Sequence, residues 1–462
     1  MRKGRWKPFN GDVSLRGSTR VRYIIVFSIV AVCSLISLRL PVVGILTFVG
    51  LGFLNPASMT WTVGESFPFS QLVALATIVG FMFSAEPKRV PLQRETIMLL
   101  FLWCLFGITT MFAIYPDKAL VRLEFVSKVL LLVVLSMCIL NTEERLNSLV
   151  RVIALSLGFF AVKAFAFILK SGGGEIVYGP EGSFLESNNL IGLALGMNLP
   201  LLSYLVKIEK RTWLRRICQL MFYCSFPAIV FTYSRGAWLG AAAVVALQML
   251  RHRFRFALVP AAAIFGIALF PLLFDVLPKR LATRYEALEN YDTESSAQMR
   301  LGSWGYCRRV AYASPITGGG FDHYSVQNYM KYSPEYHERW GRYASACHSS
   351  WFTVLGEHGF PGFILWVGLI GSVVVSSWRI RSMTAANPDL FWMFELAGAL
   401  QVSLAAYAVV GTFIDAAYFD MLYYLVAIVV ILKERLANTS VAVAFPEAGN
   451  VVQRRVLLPV KN

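Results

Sequence analysis

Three residues in this chain of 462 residues carry reactive groups at positions where such groups are unusual. Arg235 lies in the segment TYSRGAW, Arg300 lies in a long polar segment, and His348 lies where that segment meets the next apolar run. The imidazole of His348 could accept a proton near neutral pH and so act as a general base. Structural alternatives exist. Arg235 could snorkel at a membrane interface beside aromatic residues, and His348 could be a helix-start residue that hydrogen-bonds locally.

The composition is that of a membrane protein. Hydrophobic residues make up 56% of the chain and charged residues 15%, and the mean hydropathy is +0.58, a balance that soluble domains do not show. Apolar runs of roughly 17–25 residues recur between short polar segments, and they predict helices because a β-barrel would show alternating strands of about ten residues. The predicted fold class is an all-α polytopic membrane protein of about twelve transmembrane helices with one large, partly helical outer loop.

The apolar runs locate the predicted crossings. The runs 22–40, 42–54 and 68–85 lie between two basic segments that both favour the cytoplasm, so three separate crossings are excluded there. Segment 22–54, interrupted at Arg39-Leu40-Pro41, is therefore predicted to make one net crossing through two short or broken helices. The later crossings are predicted at 96–114, 122–140, 147–170, 188–206, 213–232, 236–250, 256–276, 348–376, 391–411 and 415–432.

Basic residues in every second loop orient the chain by the positive-inside rule. The net charge of +16 follows from these loops rather than from one basic face, so no nucleic-acid partner is expected. Segments 1–21 and 433–462 are predicted to be cytoplasmic tails, flanking transmembrane parts at 22–276 and 348–432. The loop 171–187, which has three glutamates and no basic residue, is predicted to lie outside.

The segment 277–347 is predicted to be a folded loop on the outer face, because it is too long and too rich in Tyr, Trp, Arg and Glu for a simple connection. Helical spacing predicts helices at 278–290 and 296–313, followed by a break at Gly318-Gly319-Gly320 and two short helices near 323–331 and 334–343. Cys307 and Cys347 are the two cysteines of this loop. They are predicted either to form a disulfide in an oxidising compartment or to pack as separate thiols.

A catalytic metal is not expected. Four of the five histidines lie within 36 residues, at positions 323, 337, 348 and 358, but their separations of 14, 11 and 10 fit no standard ligand pattern. The outer loop also lacks an Asp-x-Asp sequence that could hold a divalent ion. Among other charged residues, Arg122, Glu124 and Lys128 share one helix face and are predicted to be either functional or mutually paired. Glu395 and Asp415 are not assigned a role.

Several motifs resemble those of the O-antigen ligase and O-antigen polymerase superfamily. The sequence His348-Ser349, nine residues and then Gly359-Phe-Pro-Gly362 is similar to the histidine motif of O-antigen ligases, although Phe363 departs from the Gly, Thr or Tyr that follows there. Residues 233–239 resemble the superfamily's Ser-Arg-Gly segment, and residues 299–304 with 315–320 resemble its loop sequences. Residues 182–189 with 411–413 are similar to the subgroup of O-glycosylation ligases associated with exosortase A systems.

The resemblance implies an inverting, metal-independent glycosyltransferase without a cofactor. It would transfer a glycan from undecaprenyl, or another polyprenyl, pyrophosphate to an acceptor hydroxyl at the periplasmic face of the bacterial inner membrane. In that reaction Arg235 and Arg300 would bind the donor pyrophosphate, because a guanidinium can donate two hydrogen bonds to phosphate oxygens. His348 would be the general base. The acceptor could be lipid A core, a protein or a growing polysaccharide.

The sequence is compatible with three other functions. A polymerase of the same superfamily would use the same motifs with a lipid-linked glycan as acceptor. A transporter or flippase of lipid-linked glycans would place cations on both sides of the membrane or at its middle, with broken helices in two related halves. A structural scaffold of the envelope would tolerate replacement of Arg235, Arg300 and His348.

Overall fold

The computed structural model describes residues 13–56, 68–251, 295–340 and 344–444. Helices account for most of these residues, and this part of the chain contains no β-strand, which agrees with the predicted all-α class. The helices are α1 (Val13–Ser37), α2 (Pro41–Leu54), α3 (Phe69–Phe83), α4 (Arg94–Met111), α5 (Pro116–Ile139), α6 (Glu143–Ser171), α7 (Asn188–Ile208), α8 (Thr212–Val230), α9 (Arg235–Leu250), α10 (Ser295–Ala313), α11 (Val326–Tyr332), α12 (Pro334–Trp340), α13 (Ser350–Thr384), α14 (Phe391–Gly411) and α15 (Asp420–Ala444).

Five of the described helices are long and apolar enough to cross a membrane: α4, α6, α7, α13 and α14 with the short turn before it. Shorter apolar helices lie at Ile24–Ser37, Pro41–Leu54, Phe69–Phe83 and Arg235–Leu250. The predicted crossing at 256–276 and the predicted helix at 278–290 lie outside the described residues. The total of about twelve crossings therefore stays a prediction.

The predicted break near Arg39-Leu40-Pro41 is confirmed. Helix α1 ends at Ser37, and Pro41 is the first residue of α2, a position where the missing amide hydrogen of proline removes no helical bond. Several helices extend further than hydropathy predicts: α1 begins at Val13, α5 begins at Pro116, α13 continues to Thr384 and α15 continues to Ala444. Hydropathy ends a predicted span at the first polar residues, whereas the backbone hydrogen bonds of a helix continue through them.

The chain divides into two compact units, and the first comprises residues 1–87 with 180–186. In this unit α2 and α3 pack together, and α1 packs against both. Val30, Phe69 and Val73 form its buried apolar cluster, with Phe48 and Leu51 packed against them. These residues come from all three helices, so this cluster is what joins them.

The second unit comprises residues 88–179 and 187–462 and contains all the candidate residues. Helix α7 packs against α6, α8, α9 and α14, and α14 also packs against α13. Side chains bond across these interfaces: Asn198 Nδ2 donates to the Ala154 carbonyl oxygen at 3.0 Å, and Ser403 Oγ donates to that of Met197 at 2.7 Å. Such bonds replace the water that is absent between apolar helices.

One buried carboxylate ties α4, α13 and α15 together within this unit. Glu95 is fully buried, and its oxygens accept hydrogen bonds from Ser372 Oγ at 2.6 Å, Ser376 Oγ at 2.7 Å and Lys433 Nζ at 2.6 Å. Because these three donors come from two other helices, the loss of Glu95 would leave the partly buried Lys433 and two buried hydroxyls without this acceptor. We interpret this group as structural.

Candidate active site

Arg235 and Arg300 line the same cavity, which has a volume of about 250 Å³. The two residues are 65 positions apart in the sequence, and the fold brings them together at this cavity. None of the described lining residues is acidic. They are Ile176, Tyr178, Asn188, Asn189, Tyr233, Ser234, Arg235 and Arg300.

A tight turn between α8 and α9 presents Arg235 to the cavity. Arg235 is the first residue of α9, and Ser234 caps that helix by accepting a hydrogen bond from the Ala237 amide at 3.3 Å. Tyr233 has a φ of 55°, in the left-handed region that a tyrosine rarely adopts. Its buried hydroxyl donates to the Gly173 carbonyl oxygen at 2.7 Å. The turn is therefore held in an unfavourable conformation by a contact with the loop that follows α6.

Two further hydrogen bonds fix that loop and α7 to the same turn. The Val177 amide donates to the Phe231 carbonyl oxygen at 2.9 Å. Asn188 Nδ2 donates to the Thr232 carbonyl oxygen, also at 2.9 Å. The segment around Ile176 and Tyr178, the start of α7 and the start of α9 are thus one connected wall of the cavity.

The cavity has the electrostatic character of an anion-binding site. Two long helices, α7 and α9, begin at its wall, and the first turns of helices carry free amide donors and a positive partial charge. Two guanidinium groups add full positive charges. Phosphate groups are the usual ligands of such a combination, since guanidinium and amide groups both donate to their oxygens.

His348 lies within electrostatic range of Arg300 but is not one of the residues that line the cavity. It is half-buried and has a φ of 51°, again in the left-handed region. Burial lowers the pKa of His348 below its ordinary value of 6.5, and the positive charge of Arg300 lowers it further. The imidazole is therefore neutral near pH 7, which is the state that a general base requires.

Covalent and polar contacts hold the His348 segment against the helix of Arg300. A disulfide joins Cys307 of α10 to Cys347, with a Cα–Cα distance of 6.2 Å, so the predicted bridge is confirmed. Ser303 Oγ donates to the Cys347 carbonyl oxygen at 3.1 Å. Trp304, one turn after Arg300, stacks on Phe352 with ring centroids 5.3 Å apart. The mutual position of Arg300 and His348 is thus set by α10 and the first turn of α13.

Gly359 of the histidine motif allows the loop before α13 to pack closely against that helix. Gly359 interrupts that helix with a φ of 65° and a ψ of −167°, and a Cβ atom on it would lie 2.5 Å from the Pro315 carbonyl oxygen. Three backbone hydrogen bonds form around the interruption. The amides of Gly319, Gly320 and Phe360 donate to the carbonyl oxygens of Gly356, Glu357 and Pro315 at 2.8, 2.9 and 2.9 Å, respectively. A side chain at position 359 would prevent this approach.

A chain of buried polar groups around His358 and Glu357 of α13 was not predicted from the sequence. His358, which counted only as a possible metal ligand, has Nδ1 2.7 Å from Thr109 Oγ1 and Nε2 2.7 Å from the Tyr418 hydroxyl. Tyr418 donates in turn to Glu357 Oε2 at 2.5 Å, and the Asp322 amide donates to Glu357 Oε1 at 3.0 Å. No spacing in the sequence could indicate these partners, because they come from separate segments.

The charged residues of α5 divide between two sets of partners. Lys128 pairs with Glu124 at 2.5 Å on an exposed face. Arg122 instead interacts electrostatically with Asp322, Glu357 and Asp415 and lies 5.6 Å from the centre of the Tyr418 ring. The predicted mutual pairing therefore holds for Lys128 and Glu124, while Arg122 belongs to the polar groups beneath the outer loop.

Among the described residues, no three His, Cys, Asp or Glu side chains come together as a metal site. His323 is buried, with Nδ1 2.9 Å from the Tyr306 hydroxyl. Metal-independent activity stays a prediction. In that prediction Arg235 and Arg300 provide the positive charge that a metal ion would otherwise supply.

Comparison with known protein families gives two matches. Residues 21–211 match a family of unknown function (DUF5935). Residues 220–367, which include Arg235, Arg300 and His348, match the family described as O-antigen ligase. No curated protein matches the chain. The resemblance in the sequence motifs is thereby confirmed at the level of the superfamily, whereas the exosortase-associated subgroup stays a prediction. Residues 220–367 are therefore similar to the O-antigen ligase family, which supports the assignment to that superfamily.

Proposed function

We propose that the protein is a glycosyltransferase that moves a glycan from a polyprenyl pyrophosphate to an acceptor hydroxyl. The observation that supports this proposal most directly is the shared cavity of Arg235 and Arg300, at the start of two helices. Its volume of about 250 Å³ is below the roughly 300–1,000 Å³ of pockets that enclose a whole drug-sized ligand. The cavity suits a charged headgroup, with the lipid and most of the glycan lying outside it.

The chemistry assigns one role to each residue. The acceptor oxygen attacks the anomeric carbon of the first sugar, the bond from that carbon to the phosphate oxygen breaks, and the pyrophosphate leaves with the electron pair. Arg235 and Arg300 stabilise the negative charge that develops on the leaving group, an effect on the order of several kcal/mol for preorganised donors. His348 accepts the proton of the attacking hydroxyl, which contributes about 10²–10⁴-fold in rate. Inversion at the anomeric carbon is carried over from the resemblance.

The proposed location is the bacterial inner membrane, with the active site facing the periplasm. This orientation rests on the charge of the loops. The partners are the lipid-linked glycan donor, surrounding membrane lipids, and a lipid A core, protein or glycan acceptor. Cysteine labelling of the intact membrane tests the orientation, since labels in the 295–347 region should react from the periplasmic side. Reaction only from the cytoplasm would overturn the proposal.

A transfer assay with purified protein and a lipid-linked donor tests the mechanism. His348→Ala should lower the transfer rate by about two to four orders of magnitude. Arg235→Lys should also lower the transfer rate severely, because an ammonium group keeps the charge but lacks the paired donors of the guanidinium. Addition of EDTA should leave the rate unchanged. Near-normal transfer by both variants, or full dependence on a divalent ion, would overturn the mechanism.

A further inference from the structure

We propose that the side-chain amide of Asn189 binds the first sugar of the donor. This inference rests on the proposed function, because it assigns the sugar-recognising part of the same cavity. Asn188 and Asn189 are adjacent residues in the first turn of α7, and both line the cavity together with Arg235 and Arg300. Their hydrogen bonding separates them into a structural residue and a ligand-binding residue.

Asn188 has a structural partner. Its Nδ2 donates to the Thr232 carbonyl oxygen at 2.9 Å and so fixes α7 to the turn that carries Arg235. The side chain of Asn189 makes no hydrogen bond within the described part of the chain, although it is half-buried. Within those residues, a carboxamide with free donor and acceptor atoms faces the cavity beside two guanidinium groups.

The start of α7 does not require Asn189 for its own stability. Ser187 already caps the helix, because its Oγ accepts a hydrogen bond from the Leu190 amide at 3.1 Å. Asparagine is one of the weaker helix formers, so a residue with no capping role has little structural reason to be asparagine at this position. Recognition of a ligand provides a reason.

The chemistry of the carboxamide indicates which part of the donor it meets. Phosphate oxygens only accept hydrogen bonds, and a guanidinium group is a donor that suits them. A carboxamide both donates and accepts, and so do the hydroxyl and acetamido groups of a sugar. Tyr178, whose side chain is 56% exposed at the same cavity, adds an aromatic face and a hydroxyl beside Asn189. A sugar ring joined to the pyrophosphate fits this pair.

Binding measurements on the purified full chain in detergent can separate the sugar from the phosphates. The two probes are a polyprenyl pyrophosphate that carries one N-acetylated hexosamine and the same polyprenyl pyrophosphate without sugar. Asn189→Ala should weaken binding of the sugar-bearing probe by about 2–10-fold, the range for one lost hydrogen bond, and leave the affinity for the sugar-free probe unchanged. The ratio of the two dissociation constants is the quantity to compare.

The neighbouring Asn188→Ala is the matched control. It removes the same chemical group one position earlier, and it should lower thermal stability while it leaves that ratio at the wild-type value. Asn189→Ser keeps a small polar group suited to the start of a helix, and it supplies the answer if the alanine variant does not fold. Asn189→Ser should change the ratio of the two dissociation constants in the same direction as Asn189→Ala, but by a smaller factor.

The outcomes distinguish this inference from the proposed function. If Asn189→Ala lowers the affinity for both probes equally, Asn189 binds the phosphates and the inference is overturned. If it lowers the affinity for neither probe, the inference is overturned as well. In both cases the proposed function stands, provided that wild-type protein binds the sugar-free probe and Arg235→Lys weakens that binding. If wild-type protein binds neither probe, the proposed function falls and the inference falls with it.

Discussion

Cys347, the residue before His348, is bonded to Cys307, which lies two helical turns after Arg300 on α10. The disulfide therefore connects the proposed general base to the helix of a proposed phosphate-binding residue. Beside it, the Ser303 hydroxyl bonds the Cys347 carbonyl oxygen at 3.1 Å. The backbone around His348 has little freedom to move relative to α10, which a catalytic base needs for a fixed geometry.

The first prediction concerns this bridge. Replacing both Cys307 and Cys347 by serine should lower the free energy of unfolding of the outer loop by about 2–4 kcal/mol. Transfer should fall as well, because His348 is then free to move away from Arg300. Protection from proteolysis and the rate of glycan transfer are the measurements. Mass spectrometry of the unreduced wild-type protein is the control, and two free thiols there would contradict the bridge.

The second prediction concerns pH. The pKa of His348 is lowered, first by burial and then by the charge of Arg300. The neutral base is present above this pKa, so transfer should be lost as the pH falls through a value below 6.5. Arg300→Gln removes the nearby charge and should move this acid limb to higher pH, while burial keeps part of the original shift.

Arg235→Gln is the matched control for the pH profile. It removes a guanidinium from the same cavity, but Arg235 is not among the groups that lower the pKa of His348. It should reduce the rate at every pH without moving the acid limb. An identical limb in wild type and Arg300→Gln would mean that Arg300 does not set the protonation of the base.

Hydropathy and loop charge predict most helix positions because membrane-spanning helices must be apolar over their full length. The bounds of α7, α9 and α14 agree with the predicted runs to within two residues. Arg235 and Arg300 could also be singled out from the sequence, since loop charge predicts an outer location for both, where the positive-inside rule disfavours arginine. The shared cavity has no equivalent in the sequence, because it depends on a turn and two helix starts that pack together.

Other parts of the site could not be predicted because their partners are distant in sequence. Tyr418 and Glu357 are 61 residues apart, and Thr109 and His358 are 249 apart. Asn189 is a further case, since only the cavity and the occupied amide of Asn188 distinguish the two neighbouring residues. The interruption at Gly359 lies inside an apolar run, where a glycine is compatible with an unbroken helix.

The third prediction tests the interruption in α13. Gly359→Ala should destabilise the protein by roughly 1–3 kcal/mol or more, since alanine is strained at a φ of 65° and its Cβ would meet the Pro315 carbonyl oxygen. Gly371→Ala lies in the same helix, where an added Cβ meets no atom within 4 Å, so it should leave stability unchanged or slightly raised. Thermal unfolding in detergent compares the two. Equal effects would show that the approach of the loop does not depend on Gly359.

The fourth prediction concerns the turn that carries Arg235. Tyr233→Phe removes the hydroxyl that donates to the Gly173 carbonyl oxygen but keeps the ring. The loss of one buried hydrogen bond of about 1 kcal/mol should release the 172–179 loop and raise its amide hydrogen exchange. Transfer should fall several-fold through kcat, because Arg235 is then less often in the position that stabilises the leaving group. Tyr223→Phe, at a 68% exposed position in α8, is the control and should change neither measurement. Unaltered exchange in the 172–179 loop of Tyr233→Phe would show that the left-handed turn is held by contacts other than this hydroxyl.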